Sequence, residues 1–223
     1  MKIFAVGMNY AQHNKEIVTA LSQQGVGTGA EDTDRDPVIF TKADSALLKD
    51  GKPFFVPDFM GRIDYETEVV VRISRLGKSI PVQFAHRYYD AFTLGIDFTA
   101  RDLQKKLREE SQPWEISKGF DGSAVIGEWV AKEQLLNEQQ LNGKERPMLR
   151  FYMQKNGETV QEGCTSDMLT SIDSLISYIS QYFTLKTGDL IYTGTPVGVG
   201  PVNPDDHIEG YLEGRKLLDF WCR

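Results

Sequence analysis

Residues 63–71 read IDYETEVVV. The valine run predicts a β-strand, yet Glu66 and Glu68 stand inside it and Asp64 precedes them at the same two-residue step. In an extended strand that step puts all three carboxylates on one face, neighbours roughly 6.5–7 Å apart, with Tyr65, Thr67, Val69 and Val71 on the other. Like charges in such a row describe a solvated outer face. They also describe oxygen ligands for a hard cation such as Mg2+, Mn2+ or Ca2+, whose charge removes the repulsion. Spacing alone leaves both open.

A third carboxylate from elsewhere would favour the cation. Asp97, in LGIDFTARD (residues 94–102), ends an apolar stretch that reads as a strand, where functional groups often emerge. It could instead cap a helix starting near Thr99, a contribution of about 1 kcal/mol. Arg101 and Gln104 are three apart on that helix and share a face. Arg101 suits bidentate capture of a carboxylate, or a surface pair with Asp102 or Glu109. Lys118, among aromatics in PWEISKGFD (113–121), offers a cation for a developing enolate; the alternative is a lysine snorkelling to solvent.

In NYAQHNKE (9–16), His13 and Glu16 lie one helical turn apart and can face one cleft. A carboxylate beside an imidazole raises its basicity and makes a base able to activate water, although an isolated histidine is more often a surface residue. YTGTPVGVG (192–200) matches neither the Walker loop nor GxGxxG. Thr195 and the loop amides could still bind a carboxylate.

The formal net charge of −7 weighs against a general nucleic-acid binder, because no basic field exists to displace phosphate counterions, and leaves room for a local basic pocket for a small anion. The start MKIFAVGMNY is too short an apolar run for a signal peptide, and no run approaches a membrane span. Cys164 and Cys222 form no CxxC pair, so neither a zinc knuckle nor a redox dithiol is indicated. Two free thiols in a reducing cytoplasm are expected.

Along the chain, KIFAVG and VIFTK read as strands, with a helix over YAQHNKEIVTALSQQ and a glycine- and acid-rich loop, a candidate lid, between them. RPMLRFYMQKNGETVQEG (146–163) reads as a hairpin turning at Asn156-Gly157. Met168, Ile172, Leu175, Ile176 and Ile179 recur at helical intervals, with Ser166 or Asp167 as the cap. No linker or repeat divides the chain, so one sheet-dominated α+β domain over residues 1–223 is expected.

In order, NYxxH with Glu16, FxK, DYExE, GxDxTARDLQ, PWxxxKxFD, NGExxQ and TGTPxGVG resemble the fumarylacetoacetate hydrolase family, especially its short members acting on acylpyruvates or oxaloacetate. The likeness runs from about Ile3 to Gly200. It implies a mixed-β roll of several packed sheets with short helices, and a homodimer. It places Glu66, Glu68 and Asp97 on the metal ligands, with Mg2+ or Mn2+ expected, His13 and Glu16 on the water-activating pair, and Lys118 on the active-site lysine. Arg101, Gln104 and Thr195 match positions that hold a 2-oxo-carboxylate, and Lys42 matches a cleft lysine.

The reaction implied is hydrolysis of an acylpyruvate or related 2,4-dioxo acid to pyruvate and a carboxylic acid. The same residues would also decarboxylate oxaloacetate or isomerise a 2-hydroxy-diene-dioate, and a non-catalytic metal-dependent binding module is the reading from another class. Met8 and Ala43 replace an arginine and a proline common in the family, and the tail after Gly200 lacks the usual GD turn.

Overall fold

The computed structural model describes residues 1–11 and 36–223. The expected first helix and the glycine-rich loop, with His13 and Glu16, lie outside the described residues.

Among the described residues fifteen strands form three sheets. In chain order they are β1 (Ile3–Gly7), β2 (Val38–Lys42), β3 (Leu47–Leu48), β4 (Ile63–Tyr65), β5 (Thr67–Ile73), β6 (Tyr89–Asp97), β7 (Thr99–Ala100), β8 (Ala124–Ile126) and β9 (Val130–Ala131). There follow β10 (Arg150–Lys155), β11 (Glu158–Cys164), β12 (Leu190–Tyr192), β13 (Gly200–Pro201), β14 (His207–Leu212) and β15 (Arg215–Trp221). The largest sheet has the order β2-β1-β12-β5-β6-β8-β3, with β9 also on β6. It is mixed: β1 runs parallel to β12 and β3 to β8, while its other pairs are antiparallel. A four-stranded sheet, β11-β10-β14-β15, and a three-stranded sheet, β13-β4-β7, are antiparallel throughout. The mostly-β α+β architecture expected from the sequence is what the chain adopts.

The valine run does not alternate with polar residues because both faces of β5 are covered. Val69, Val71 and Ile73 pack into the main core with Phe92, Leu94 and Ile96. Val70 faces the other way, onto Ile3, Ala5, Leu190 and Tyr192.

IDYETEVVV is nevertheless not one strand. It breaks at Glu66, with β4 in the three-stranded sheet and β5 in the largest. The neighbouring segment does the same at Phe98, between β6 and β7, and residues 193–199 carry the chain from β12 to β13. Three segments thus cross between the same two sheets side by side, the way strands that bend at a corner join packed sheets.

The hairpin turns at Asn156 and Gly157, both at positive φ (56° and 83°), as the dipeptide predicts. A second hairpin, where the GD turn is missing, turns at Glu213 and Gly214 with φ 48° and 74°. The last long helix spans Ile172–Tyr182, and its cap is Ser171, whose hydroxyl accepts from the Ser174 amide at 3.2 Å. Ser166 and Asp167, the expected caps, belong to a preceding 3-10 turn, Thr165–Asp167. The reason is a long-range contact: Met168 pairs with Tyr10 in an isolated bridge, so the chain is extended there and cannot yet be helical. Cys164 and Cys222 are free.

Candidate metal centre

The sheet junction is lined with carboxylates. Glu66 sits at the break, Glu68 is the second residue of β5, and Asp97 is the last of β6. One oxygen from each lies within 4.8 Å of the others, and all three residues are buried. Two backbone features bring them together. The Asp97 amide donates to the Glu66 carbonyl at 2.8 Å, and Glu68 is registered opposite Gly95. A Cβ on Gly95 would stand 2.6 Å from Val70 Cγ2 and 2.7 Å from the Val125 carbonyl, so only glycine admits the close packing beside Glu68. The solvated-face reading of the carboxylate row does not hold. Nor does Asp97 cap a helix: helix Arg101–Glu109 begins after Ala100, without a side-chain cap.

Cations surround the triad. Lys118, 4% exposed, donates from Nζ to Glu66 Oε2 at 2.6 Å and to Asp97 Oδ2 at 3.0 Å, so it does not snorkel. Its ammonium also stands over the Phe40 ring, 5.2 Å from the centroid. Burial alone would lower its pKa, but Asp97 and Glu66 outweigh burial and raise it. Lys42 Nζ stands 2.6 Å from Asp97 Oδ1 and donates to the carbonyls of Lys118 and Ser123. Burial is the larger influence there and lowers its pKa against the attraction of Asp97.

Arg101 reaches the triad from the first turn of its helix. Its Nη2 donates to Glu66 Oε1 at 2.6 Å, its Nη1 to Gln104 Oε1 at 2.8 Å and its Nε to Asp64 Oδ2 at 2.8 Å. Burial works to lower its pKa, but the Glu66 and Asp64 carboxylates prevail and raise it. The expected face shared by Arg101 and Gln104 is present. The surface partners Asp102 and Glu109 are not used by Arg101; Asp102 instead accepts from the Arg62 amide at 3.1 Å.

Glu68 is held from the third crossing segment: the Gly194 amide donates to its Oε2 at 2.6 Å. Gly194 has φ +97°, and a Cβ there would lie 2.8 Å from Asn9 Cβ. Asn9 pins the same turn, donating to the carbonyls of Thr193 at 2.8 Å and Thr170 at 3.0 Å, and accepting from the Thr170 amide. Thr195 donates its hydroxyl to the Thr67 carbonyl at 2.9 Å and accepts from Gln161 Nε2 at 3.0 Å. The proton of that hydroxyl is therefore committed to the backbone here.

Burial, Asp97 and Glu66, in that order, push the Glu68 pKa well above the usual carboxylate value, and the Gly194 amide only partly opposes them. Asp97 Oδ1 is buried, with the Lys42 ammonium 2.6 Å away as its charged neighbour. Three converging carboxylate oxygens whose mutual repulsion the surrounding cations only partly relieve fit a hard divalent cation.

Lys42, Arg101, Gln104 and Lys118 are thus gathered around Glu66, Glu68 and Asp97, with Thr195 on the segment that holds Glu68. Four contributors were not assigned from sequence. Asp64 carried a signal, its two-residue step before Glu66, and so did Gln161, inside NGExxQ. Asn9 carried one too, as the first residue of NYxxH, whereas Ser123 had no signal at all.

A model of the fumarylacetoacetate (FAA) hydrolase C-terminal family matches residues 2–218. The chain belongs to that family. Its relatives include the mitochondrial oxaloacetate tautomerase FAHD1 of Mus musculus, 37% identical over 219 residues, 98% of this chain and 90% of the relative. The oxaloacetate tautomerase YcgM of Escherichia coli is 32% identical over 216 residues, 97% of this chain and 90% of that protein. Among solved structures, fumarylpyruvate hydrolase from Pseudomonas aeruginosa in complex with Mn2+ and pyruvate has a TM-score of 0.85 and 30% identity, covering 100% of this chain and 89% of that one. The fumarylacetoacetate hydrolase fold expected from the ordered motifs is therefore the fold of this chain. No described helix is long and apolar enough to cross a membrane.

Proposed function

We propose that residues 1–223 form one catalytic domain of a divalent-cation-dependent enzyme that makes the enolate of a 2-oxo acid. The observation that carries the reading is a buried carboxylate triad ringed by Lys42, Lys118 and Arg101. Glu66, Glu68 and Asp97 would hold Mg2+ or Mn2+, which when bound supplies Lewis acidity to the 2-oxo oxygen. Arg101 with Gln104 binds the substrate carboxylate, and the backbone of the Thr195 segment lines the same end. Lys118 keeps its ammonium, because the carboxylates hold its proton, and places a fixed positive charge where the enolate oxygen develops. Lys42 steadies Asp97.

The oxaloacetate tautomerases among the relatives support interconversion of keto and enol oxaloacetate as the reaction. A proton leaves C3 and one is added at the 2-oxygen, or the reverse. The second reading, favoured by the spacing of His13 and Glu16 and by the likeness to a fumarylpyruvate hydrolase, is hydrolysis. His13, assisted by Glu16, takes a proton from water, which attacks the distal carbonyl of an acylpyruvate. The C–C bond breaks, its electron pair forms the pyruvate enolate, and reprotonation yields pyruvate and a carboxylic acid. Decarboxylation of oxaloacetate and isomerisation of a 2-hydroxy-diene-dioate would pass through the same kind of enolate. The active species is proposed to be a homodimer, which sedimentation would check.

Incubating the Mg2+- or Mn2+-loaded protein with enol oxaloacetate, acetylpyruvate and fumarylpyruvate separates these. Loss of the enol absorbance without C–C cleavage supports the tautomerase, and pyruvate release from an acylpyruvate supports the hydrolase. No turnover of any of them, with metal still bound, would instead identify a metal-dependent binding module. His13→Ala should abolish hydrolysis and spare enolisation; equal loss of both contradicts its role on water.

A further inference from the structure

Asp64 is a buried carboxylate outside the triad, 1% exposed, and it is committed to arginines. Its Oδ1 accepts from Arg62 Nε at 2.6 Å, and its Oδ2 accepts from Arg62 Nη2 at 3.3 Å and Arg101 Nε at 2.8 Å. The backbone builds this contact. Asp64 on β4 is registered opposite Thr99 on β7, and the Arg101 amide donates to the Arg62 carbonyl at 2.8 Å. The three nitrogens of the Arg101 guanidinium are thereby divided: Nε to Asp64, Nη1 to Gln104, Nη2 to Glu66.

Glu66 offers Oε1 to Arg101 and Oε2 to Lys118, so a cation taken up by Glu66 must share or displace one of these contacts. The Asp64 contact uses a different nitrogen and does not depend on Glu66. We propose that Asp64 is a positioning residue that holds Arg101 in the site through Nε, so that Nη2 is aimed at the carboxylate of the bound 2-oxo acid. Arg62, whose side chain is half exposed, meets Asp64 from the solvent side and makes no part of the Asp64–Arg101 contact. A planar guanidinium anchored at Nε retains two nitrogens in fixed directions, which an unanchored one does not. The proposal rests on the 2-oxo acid reading of the site.

Calorimetric titration of the full chain with Mn2+, and then of the Mn2+-loaded protein with pyruvate, tests it. Asp64→Asn is expected to bind Mn2+ within about twofold of the unaltered protein and pyruvate about tenfold more weakly. In an Arg101→Ala background the same substitution should add nothing, because the two residues act as one unit. Arg62→Ala, which spares the Asp64–Arg101 contact, should leave pyruvate affinity within about twofold. Equal pyruvate binding by Asp64→Asn, or an effect that persists without Arg101, overturns the assignment. Absence of pyruvate binding by the unaltered Mn2+-loaded protein would instead overturn the 2-oxo acid reading beneath it. Should Asp64→Asn not fold, the 15N–1H signal of Arg101 Nε in the unaltered protein decides. Protection from exchange before and after addition of Mg2+ supports the anchor, and loss of protection refutes it.

Discussion

The Asp97 amide donates to the Glu66 carbonyl at 2.8 Å where both segments leave the largest sheet for the three-stranded one. That one backbone bond ties two carboxylate-bearing residues 31 positions apart in the chain into a single corner (97 − 66). Like charges are concentrated at the corner, and the cations around it only partly relieve them. Stability and function should therefore pull in opposite directions there.

Glu68→Gln tests the opposition. The substitution keeps an oxygen for the Gly194 amide and removes a buried charge repelled by Asp97 and Glu66. The metal-free variant should be more stable by about 1–2 kcal/mol, and Mn2+ should no longer raise its melting temperature. Thermal unfolding with and without Mn2+ measures both. A variant stabilised by Mn2+ as much as the parent would remove Glu68 from the ligand set.

Gly194→Ala should be harmful for two reasons at once. The residue has φ +97°, and the added Cβ would lie 2.8 Å from Asn9 Cβ and 3.2 Å from the Val6 carbonyl. A loss of about 1–3 kcal/mol is expected. Because the amide that holds Glu68 moves too, Mn2+ affinity should fall with stability. Equilibrium unfolding and metal titration on the same sample check the pair.

Gln161→Leu should loosen the segment after Gly194. The buried carboxamide accepts from the Thr67 amide at 2.9 Å and donates to Thr195 Oγ1 and to the Pro196 carbonyl at 3.1 Å. Leaving these groups unpaired should cost about 1–3 kcal/mol. In steady-state kinetics, KM for the proposed 2-oxo acid substrate should rise more than kcat falls; a pure kcat effect would contradict a role in shaping the proposed carboxylate end.

Asp173 supplies a pH dependence away from the centre. Burial raises its pKa from 3.8 to about 6, against the opposing influence of Tyr89 and Lys132. A carboxyl whose folded pKa lies above its unfolded one contributes stability that is full below the unfolded value and is lost as pH rises through about 6. Asp173→Asn should therefore gain on the order of 1–2 kcal/mol over the parent at pH 8, after allowance for its partial exposure, and nothing near pH 3. Urea unfolding at several pH values gives the comparison, and a pH-independent difference would refute it.

Much of this was legible in local order. The strands VIFTK and KIFAVG, the Asn156-Gly157 turn and the helix around Leu175 follow from side-chain period and turn chemistry, which act over a few residues. The misassigned helix cap shows the limit. Ser166 and Ser171 are equally good caps by composition, and a long-range bridge from Tyr10 to Met168 excludes the first.

For the centre, the sequence by itself determined which carboxylates and cations are present and, through seven motifs in order, the family and its fold. Only the tertiary structure decided that the carboxylate row is interrupted, buried and ringed by cations. The exchange of strands between sheets at Glu66 and Phe98, and the placing of Asp64 between two arginines, depend on pairings across dozens of residues. No two-residue period encodes those pairings, because a period sets which face a side chain takes and not which strand will cover it.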